Sequence, residues 1–264
     1  MNDGDVKKII QEYSKDYCLF LEATYGSSMM SEGGKHAIER MLSKEILQNK
    51  TLLDIGFGLG GVAFYLADKY NAHVYGVEIN PWMVDEASQR TPTKLQNKVS
   101  FHQYHPDAEL PFSNEHFDIV FSKGVLTHLN KKTKLFTEIH RVLKPKGSFV
   151  IDDWLSPYEG QWGKRLKKMC ETEGLTLYAE TVENYIKLLK SADFTDIEIR
   201  DENRNYYQYN LDIVDRLIQQ KAHKVNNSVF NEISLDDAIE SYQLIADSIK
   251  DNELLIRWLR GIKS

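Results

Sequence analysis

The chain has 264 residues, of which 42% are hydrophobic and 27% charged, and its net charge at neutral pH is −6. This composition is typical of a globular domain, and the acidic balance without a basic block argues against a nucleic-acid partner. The apolar segments are too short to span a bilayer, so we expect no membrane insertion. Cys18 and Cys170 lie far apart in no metal-ligand spacing, which predicts reduced thiols, no metal site and a cytoplasmic location.

Two helical segments are predicted before the first strand. Apolar residues recur at helical spacing over 5–25 and again over 35–49. The turn Ser31-Glu32-Gly33-Gly34 leads into the second helix. Such a turn is either a place where backbone N–H groups meet an anion or an ordinary tight joint between helices, and the residues leave both interpretations open.

A glycine-rich turn follows the first strand. The apolar run Thr51–Ile55 predicts a buried strand, and Gly56, Gly58 and Gly60 follow it before a new helical pattern. Glycines allow φ > 0 and let the backbone approach a ligand closely. The next strand ends at Glu78, about twenty residues on, where a carboxylate can bind two ribose hydroxyls. The arrangement is typical of nucleotide binding.

The chain alternates between strands and helices from 51 to 153. This alternation predicts a parallel sheet with helices on both faces and a ligand at the carboxyl ends of the strands. Proline suits the first helical turn, so Asn80-Pro81 predicts one helix start. The predicted strands lie near 51–55, 73–78, 99–104, 117–122 and 147–152, and the predicted helices near 60–70, 81–90 and 131–143.

The pattern changes after the fifth predicted strand. Residues 156–190 and 206–256 are predicted to be helical, with chain breaks at 226–228 and at Ser234, a candidate N-cap. Residues 195–201 and 255–263 read as strands, the second of them antiparallel. No repeat or flexible linker divides the chain, so one domain over 1–264 is expected.

Four ordered segments resemble the motifs of class I methyltransferases, which use S-adenosylmethionine (SAM). These are Asp54 to Gly61, Asp107 to Phe112, Phe117-Asp118 and Leu143 to Gly147. The resemblance implies a Rossmann-like α/β sheet, mostly parallel with an antiparallel last strand. It implies N-terminal helices and helical insertions after strands five and six. It also implies SAM as cofactor and S-adenosylhomocysteine as product. We expect 1–50 to form a helical lid, 51–153 the SAM-binding core and 154–264 the substrate side.

His128 is the candidate general base. It follows the fourth predicted strand, at the edge of the sheet where the methyl group should lie. An amine acceptor is mostly protonated at neutral pH and needs a proton path, for which histidine has a suitable pKa. His105 follows the third strand on the side expected for adenine and is a poorer candidate. The alternative for His128 is a packed or helix-capping histidine.

A closer resemblance, to phosphoethanolamine N-methyltransferases, is carried by Glu12-Tyr13, the turn from Tyr25 to Gly34, and the segment from Ser122 to His128. It implies that Tyr13 and His128 form a catalytic dyad. It also places substrate-binding aromatic residues at Trp154, Tyr206 and Tyr207, although core packing is an equal alternative for these rings. The resemblance and the motifs together give these candidate cofactor-binding residues: Ser31, Asp54, Gly56, Gly58, Gly60, Glu78, Ile79, Asp107, Ala108 and Ser122.

The sequence also departs from that family. Lys123-Gly124 stands where the family has Arg-Asp, and the phosphate-binding residues of the family have no clear counterpart. Arg165, Lys168, Arg204 and Lys250 are candidates for that role or simply surface charges.

Three functions follow from these observations. The first is SAM-dependent methylation of a small, phosphoethanolamine-like amine. The second is methylation of another small metabolite at oxygen or carbon, and the third is SAM binding without catalysis. We expect a small-molecule acceptor as partner and a monomer or weak dimer.

Overall fold

The structure, a computed structural model, describes residues 3–223 and 234–264, and its centre is one seven-stranded sheet with strand order β3-β2-β1-β4-β5-β7-β6. The strands are β1 (Thr51–Ile55), β2 (His73–Glu78), β3 (Val99–Gln103), β4 (Phe117–Lys123), β5 (Leu143–Leu155), β6 (Phe194–Asp201) and β7 (Leu255–Lys263). The helices are α1 (Asp3–Glu12), α2 (Lys15–Tyr25), α3 (Gly34–Met41), α4 (Gly61–Tyr70), α5 (Pro81–Arg90), α6 (Thr133–Val142), α7 (Lys164–Glu173), α8 (Val182–Ser191), α9 (Asn203–Ala222) and α10 (Leu235–Lys250).

The sheet confirms the predicted fold class. Strand β1 lies between β2 and β4 and is parallel to both, and β7 is antiparallel to β5 and β6. Side chains of neighbouring residues point to opposite faces, so Leu53 packs in one apolar cluster and Leu52 in another. Because both faces are covered by helices, β1 is a continuous apolar run rather than an alternating one.

The first predicted helix is in fact two helices. The structure ends α1 at Glu12 and begins α2 at Lys15, because the Ser14 hydroxyl accepts a hydrogen bond from the Tyr17 N–H at 3.1 Å and caps α2. Apolar periodicity continues across the break, which is why the pattern alone predicted one helix. The break leaves Tyr13 at the joint, next to the carboxyl ends of the strands.

Other helices and strands also begin or end at residues that differ from the prediction. Helix α3 ends at Met41 instead of near residue 49, and the region 156–190 contains two separate helices, α7 and α8. Strand β5 begins at Leu143, with an irregular stretch in which Lys146 has a φ of 63°. The predicted helical region 206–256 divides into α9 and α10, and Ser234 caps α10 as expected. The predicted break at 226–228 lies outside the described residues.

A third apolar cluster joins the later helices to the N-terminal ones. Side chains of α2, α7, α9 and α10 pack together with Ile256 of β7. Its members include Phe20, Leu166, Leu217 and Tyr242. The helices that the sequence assigned to a substrate side and to a lid therefore share one core.

Candidate active site

A deep cavity opens at the carboxyl ends of β1, β2 and β4. It contains about 1100 Å³ of space not filled by protein atoms, including its open mouth. Ile9, Ile10 and Tyr13 from the N-terminal segment form one wall, opposite the turn after β1. This position is the usual ligand site of an open parallel sheet.

The turn after β1 brings bare backbone to the cavity. Gly56 and Gly58 line it, with φ of 76° and 57°. A Cβ at Gly56 would lie 2.5 Å from Val125, and one at Gly58 would lie 2.7 Å from the sulfur of Met30. Any side chain at these two positions would therefore clash with the cavity wall as well as strain the backbone.

Two carboxyl groups line the cavity beside this turn. Glu78 Oε2 accepts a hydrogen bond from the Gly58 N–H at 3.3 Å, and its Oε1 accepts from the N–H groups of Ile79 and Asn80. Burial raises the pKa of Glu78, against these three backbone donors. Burial and the nearby Glu78 charge raise the pKa of Asp54 well above its usual range. Asp54 Oδ2 is buried with no hydrogen-bond partner, so a ligand with a cationic or N–H group would satisfy it.

Tyr13 and His128 meet on the cavity wall. Tyr13 Oη and His128 Nε2 lie 3.0 Å apart, and the two rings pack edge to face with centroids 5.3 Å apart. His128 lies in a 3₁₀ turn, Leu126–His128, just after β4. The structure thus brings together two side chains that are 115 positions apart in sequence.

The His128 imidazole is electrically neutral at physiological pH. The pKa of His128 is lowered from 6.5 to about 4, mainly by burial; the backbone of Thr176 opposes this shift, and the nearby Lys132 charge makes a smaller contribution in the same direction as burial. Its Nδ1 atom is buried and has no partner within hydrogen-bond distance and angle. Burial also raises the pKa of Tyr13 well above its usual range, so this hydroxyl keeps its proton. A neutral imidazole beside a neutral phenol is an arrangement that can accept a proton.

Contacts on both sides hold Tyr13 in place. The Asn80 side chain donates a hydrogen bond to the Tyr13 carbonyl at 3.1 Å. The neighbouring Glu12 carboxylate accepts hydrogen bonds from the N–H and the hydroxyl of Thr176, in the segment between α7 and α8. The end of α1 is therefore tied to the sheet and to the later helices.

Residues 53–151 match the family described as "Methyltransferase domain". The chain is 29% identical over 232 residues to a phosphoethanolamine N-methyltransferase of Plasmodium falciparum, covering 86% of this chain and 85% of that protein. It is 26% identical over 254 residues to phosphoethanolamine N-methyltransferase 1 of Arabidopsis thaliana, covering 92% of this chain and 48% of the relative.

The solved structure of phosphoethanolamine N-methyltransferase 2 from Haemonchus contortus superimposes with a TM-score of 0.87 at 22% identity. The match covers 98% of this chain and 60% of that one, and that protein was solved with phosphomonomethylethanolamine and S-adenosylhomocysteine. The chain thus spans most of one relative and about half of the others.

The chain contains a methyltransferase domain. Its matching segment, 53–151, contains the glycine turn, both carboxyl groups and His128. The methyltransferase also resembles the phosphoethanolamine N-methyltransferases over most of its length.

The cavity of the methyltransferase is lined by eight of the residues that the sequence singled out. The others lie elsewhere. The lining residues among the candidates are Tyr13, Ser31, Asp54, Gly56, Gly58, Glu78, Ile79 and His128.

Asp107 and Ala108 do not line the cavity. Both are exposed, because the tight turn in which the Ala108 N–H bonds to the His105 carbonyl directs them outward. Tyr104 and Pro106 line the cavity from this loop instead. The motif marks this loop, but a short turn within it determines which side chains point into the cavity.

Gly60 and Ser122 also lie outside the cavity. Gly60 is the left-handed N-cap of α4, and a Cβ there would lie 2.9 Å from Phe101, so the position is required for helix–sheet packing. The Ser122 side chain is buried in the sheet, where its hydroxyl lies 3.5 Å from the Ile55 carbonyl. The next residue, Lys123, lines the cavity in its place.

The three aromatic residues predicted to bind the substrate do not line the cavity. Tyr206 is buried and donates a hydrogen bond to Asp152 Oδ2 at 2.9 Å. Trp154 and Tyr207 are half-buried and pack against the cluster formed by the later helices. All three rings take part in core packing in this structure, and the Lys123 ammonium group lies over the Tyr206 ring.

None of the four candidate phosphate-binding cations lines the cavity. Arg165 pairs with Asp251 and Glu253, and Lys168 pairs with Glu240. Arg204 and Lys250 are exposed. These four side chains are therefore surface charges.

Several cavity residues were not predicted. Met30 and Asn80 lie beside the expected positions, and the sequence marks Asn80 only as a helix start. In the sequence, Lys123 stands out only as a departure from the family. Its position at the carboxyl end of a central parallel strand was the available signal, because the residues there face the ligand site.

No helix among the described residues is long and apolar enough to cross a membrane. Within 3–223 and 234–264, no group of histidine, cysteine and acidic side chains is arranged to hold a metal ion. Cys18 and Cys170 are free thiols.

Proposed function

We propose that this methyltransferase acts on the nitrogen of a small, phosphoethanolamine-like amine. The observation that carries the proposal is the contact between Tyr13 and His128 on the cavity wall. The similarity to phosphoethanolamine N-methyltransferases over most of the chain supports the same substrate class.

The residues at the glycine turn fit SAM. When bound, SAM supplies an activated methyl group. The bare backbone of Gly56 and Gly58 would lie against its amino-acid tail, and Glu78 would bind the ribose hydroxyls. The unpartnered oxygen of Asp54 would accept a hydrogen bond from the cationic ammonium of the tail. Ser31 and Ile79 line the same space and complete the proposed set.

His128 and Tyr13 would act on the acceptor. The neutral imidazole accepts the proton of the amine, which leaves the nitrogen lone pair free for methylation. Tyr13 stays protonated and orients the imidazole through its hydroxyl group. Ile9 and Ile10 cover the cavity and limit the access of water to the reacting atoms.

A methyl-transfer assay with labelled SAM tests the proposal. The acceptors are phosphoethanolamine, ethanolamine, their N-methylated forms, glycine and sarcosine. We expect label in at least one phosphorylated amine and SAM binding by calorimetry. Label in none of the amines would contradict the proposal, and SAM binding without transfer would favour oxygen or carbon acceptors or a non-catalytic role.

Three further proposals accompany this one. Residues 1–50 would serve as the lid of a single domain, since α1 supplies one wall of the cavity. The cytoplasmic location and the monomeric or weakly dimeric state remain predictions from the sequence.

A further inference from the structure

We propose that the Lys123 ammonium group binds the anionic group of the methyl acceptor, a phosphate or a carboxylate, and so selects amines that carry one. The inference rests on the proposed function, and it concerns a residue outside the predicted site. Lysine is a point-charge donor suited to phosphate and carboxylate oxygens.

Lys123 is the one lysine or arginine among the described residues that line the cavity. It is the last residue of β4, and His128 lies on the turn that follows. The same strand end therefore supplies both the proposed base and a positive charge. An amine with an anionic group a few bonds away would present its two ends to these two side chains.

The neighbours of Lys123 hold it without neutralising it. Its Nζ lies 5.0 Å from the centroid of the Tyr206 ring, and Tyr206 donates a hydrogen bond to Asp152, the neighbour of Lys123 in the sheet register. The Lys123 charge lowers the pKa values of Asp152 and Glu32, although burial raises both overall. No described carboxylate is close enough to form an ion pair with its ammonium group, so its N–H donors remain available.

Gly124 leaves room for the anionic group. A Cβ built at this position meets no atom within 4 Å, and the residue lines the cavity. The space beside Lys123 is thus open at the point where a side chain would otherwise fill it. The other cations that the sequence offered for this role are paired or exposed elsewhere.

Matched pairs of amines test the assignment. Binding to the protein saturated with S-adenosylhomocysteine is measured by calorimetry for phosphoethanolamine against ethanolamine and for glycine against methylamine; kcat/KM is measured for each amine that is methylated. In Lys123→Met, we expect roughly a 10- to 100-fold loss for the member of the preferred pair that carries the anionic group and no change for the member that lacks it. The pair with the larger loss distinguishes phosphate from carboxylate.

Two further variants are the controls. Lys123→Arg keeps the charge and should keep the preference, and Lys131→Met removes an exposed lysine on the following turn and should change nothing. Equal losses for amines with and without the anionic group, or a wild-type protein with no preference in either pair, would overturn the assignment. If Lys123→Met loses the binding preference for the amine with the anionic group and no amine is methylated, the result would support the role of Lys123. The same result would overturn the proposed function.

Discussion

His128 is a histidine whose surroundings favour the free base. It is 8% exposed, and its ring touches Tyr13 at Nε2. An imidazole with a pKa lowered to about 4 holds no proton at neutral pH, so its ring nitrogen is free to accept one. Once protonated, it is a stronger acid than an exposed histidine and releases the proton readily.

Replacing His128 with asparagine tests this role. We expect His128→Asn to lower kcat by roughly 100-fold or more, the usual scale for the loss of a general base. The affinity for SAM should stay unchanged, because Gly58 and Glu78, and not His128, are among the residues proposed to bind it. The measurements are steady-state turnover and calorimetry with SAM.

The matched control is His73→Asn. His73 is exposed at the start of β2, at the opposite end of the sheet from the cavity. It should keep full turnover. If His128→Asn also keeps it, His128 has no part in proton transfer.

At the scale of elements, the joint between α1 and α2 positions Tyr13. The residue follows the last turn of α1 and precedes the Ser14 cap of α2. A continuous helix over 5–25 would place Tyr13 on a regular helical face, where the direction of its side chain would follow from the helix axis alone. The break gives it a separate direction and lets the Asn80 side chain bind its carbonyl.

The cap is testable by Ser14→Ala. We expect the free energy of unfolding to fall by about 1 kcal/mol, the usual cost of a lost N-cap side chain. Urea denaturation of the whole chain measures it. Ser88→Ala is the control, because Ser88 is an exposed residue within α5 that caps nothing, and alanine suits a helix interior. Equal effects of the two changes would argue against a cap at Ser14.

At the scale of the whole molecule, buried ionisable groups make stability depend on pH in opposing ways. His128 has a lower pKa in the folded protein than when unfolded, so the unfolded chain binds more protons between the two values. Its contribution to stability is therefore lost as pH falls from 6.5 towards 4. Asp152 and Asp153 have pKa values raised from 3.8 to about 6. The folded chain therefore binds more protons than the unfolded chain in this range, and the two residues make the folded state more stable as pH falls through it.

Comparison with His128→Asn separates these contributions. Between about pH 7 and about pH 4, the stability of the wild type relative to this variant should fall by about 3 kcal/mol, because asparagine does not titrate. Denaturant unfolding at a series of pH values gives the difference, in which the effects of the two aspartates cancel. A difference that is constant over this range would mean that His128 titrates alike in the folded and unfolded chains.

Sequence patterns predicted the sheet well because its determinants are local. Strand β1 is a short apolar run. Any other residue type at the glycines that follow it would bring a Cβ too close to Val125 or Met30. The pairing of Tyr13 with His128 was expected only through a family resemblance. No local pattern relates a residue of the N-terminal segment to a residue on the turn after β4.

By itself, the sequence determined the order of strands and helices, the glycine turn and the carboxylate at the end of β2, since these depend on neighbours along the chain. The tertiary structure alone decided which side chains face the cavity. In the folded chain, Lys123 lines the cavity, whereas Ser122, Asp107 and the candidate aromatic residues do not. The physical reason is that one step along a strand reverses the face of a side chain, and a tight turn or a broken helix redirects it again.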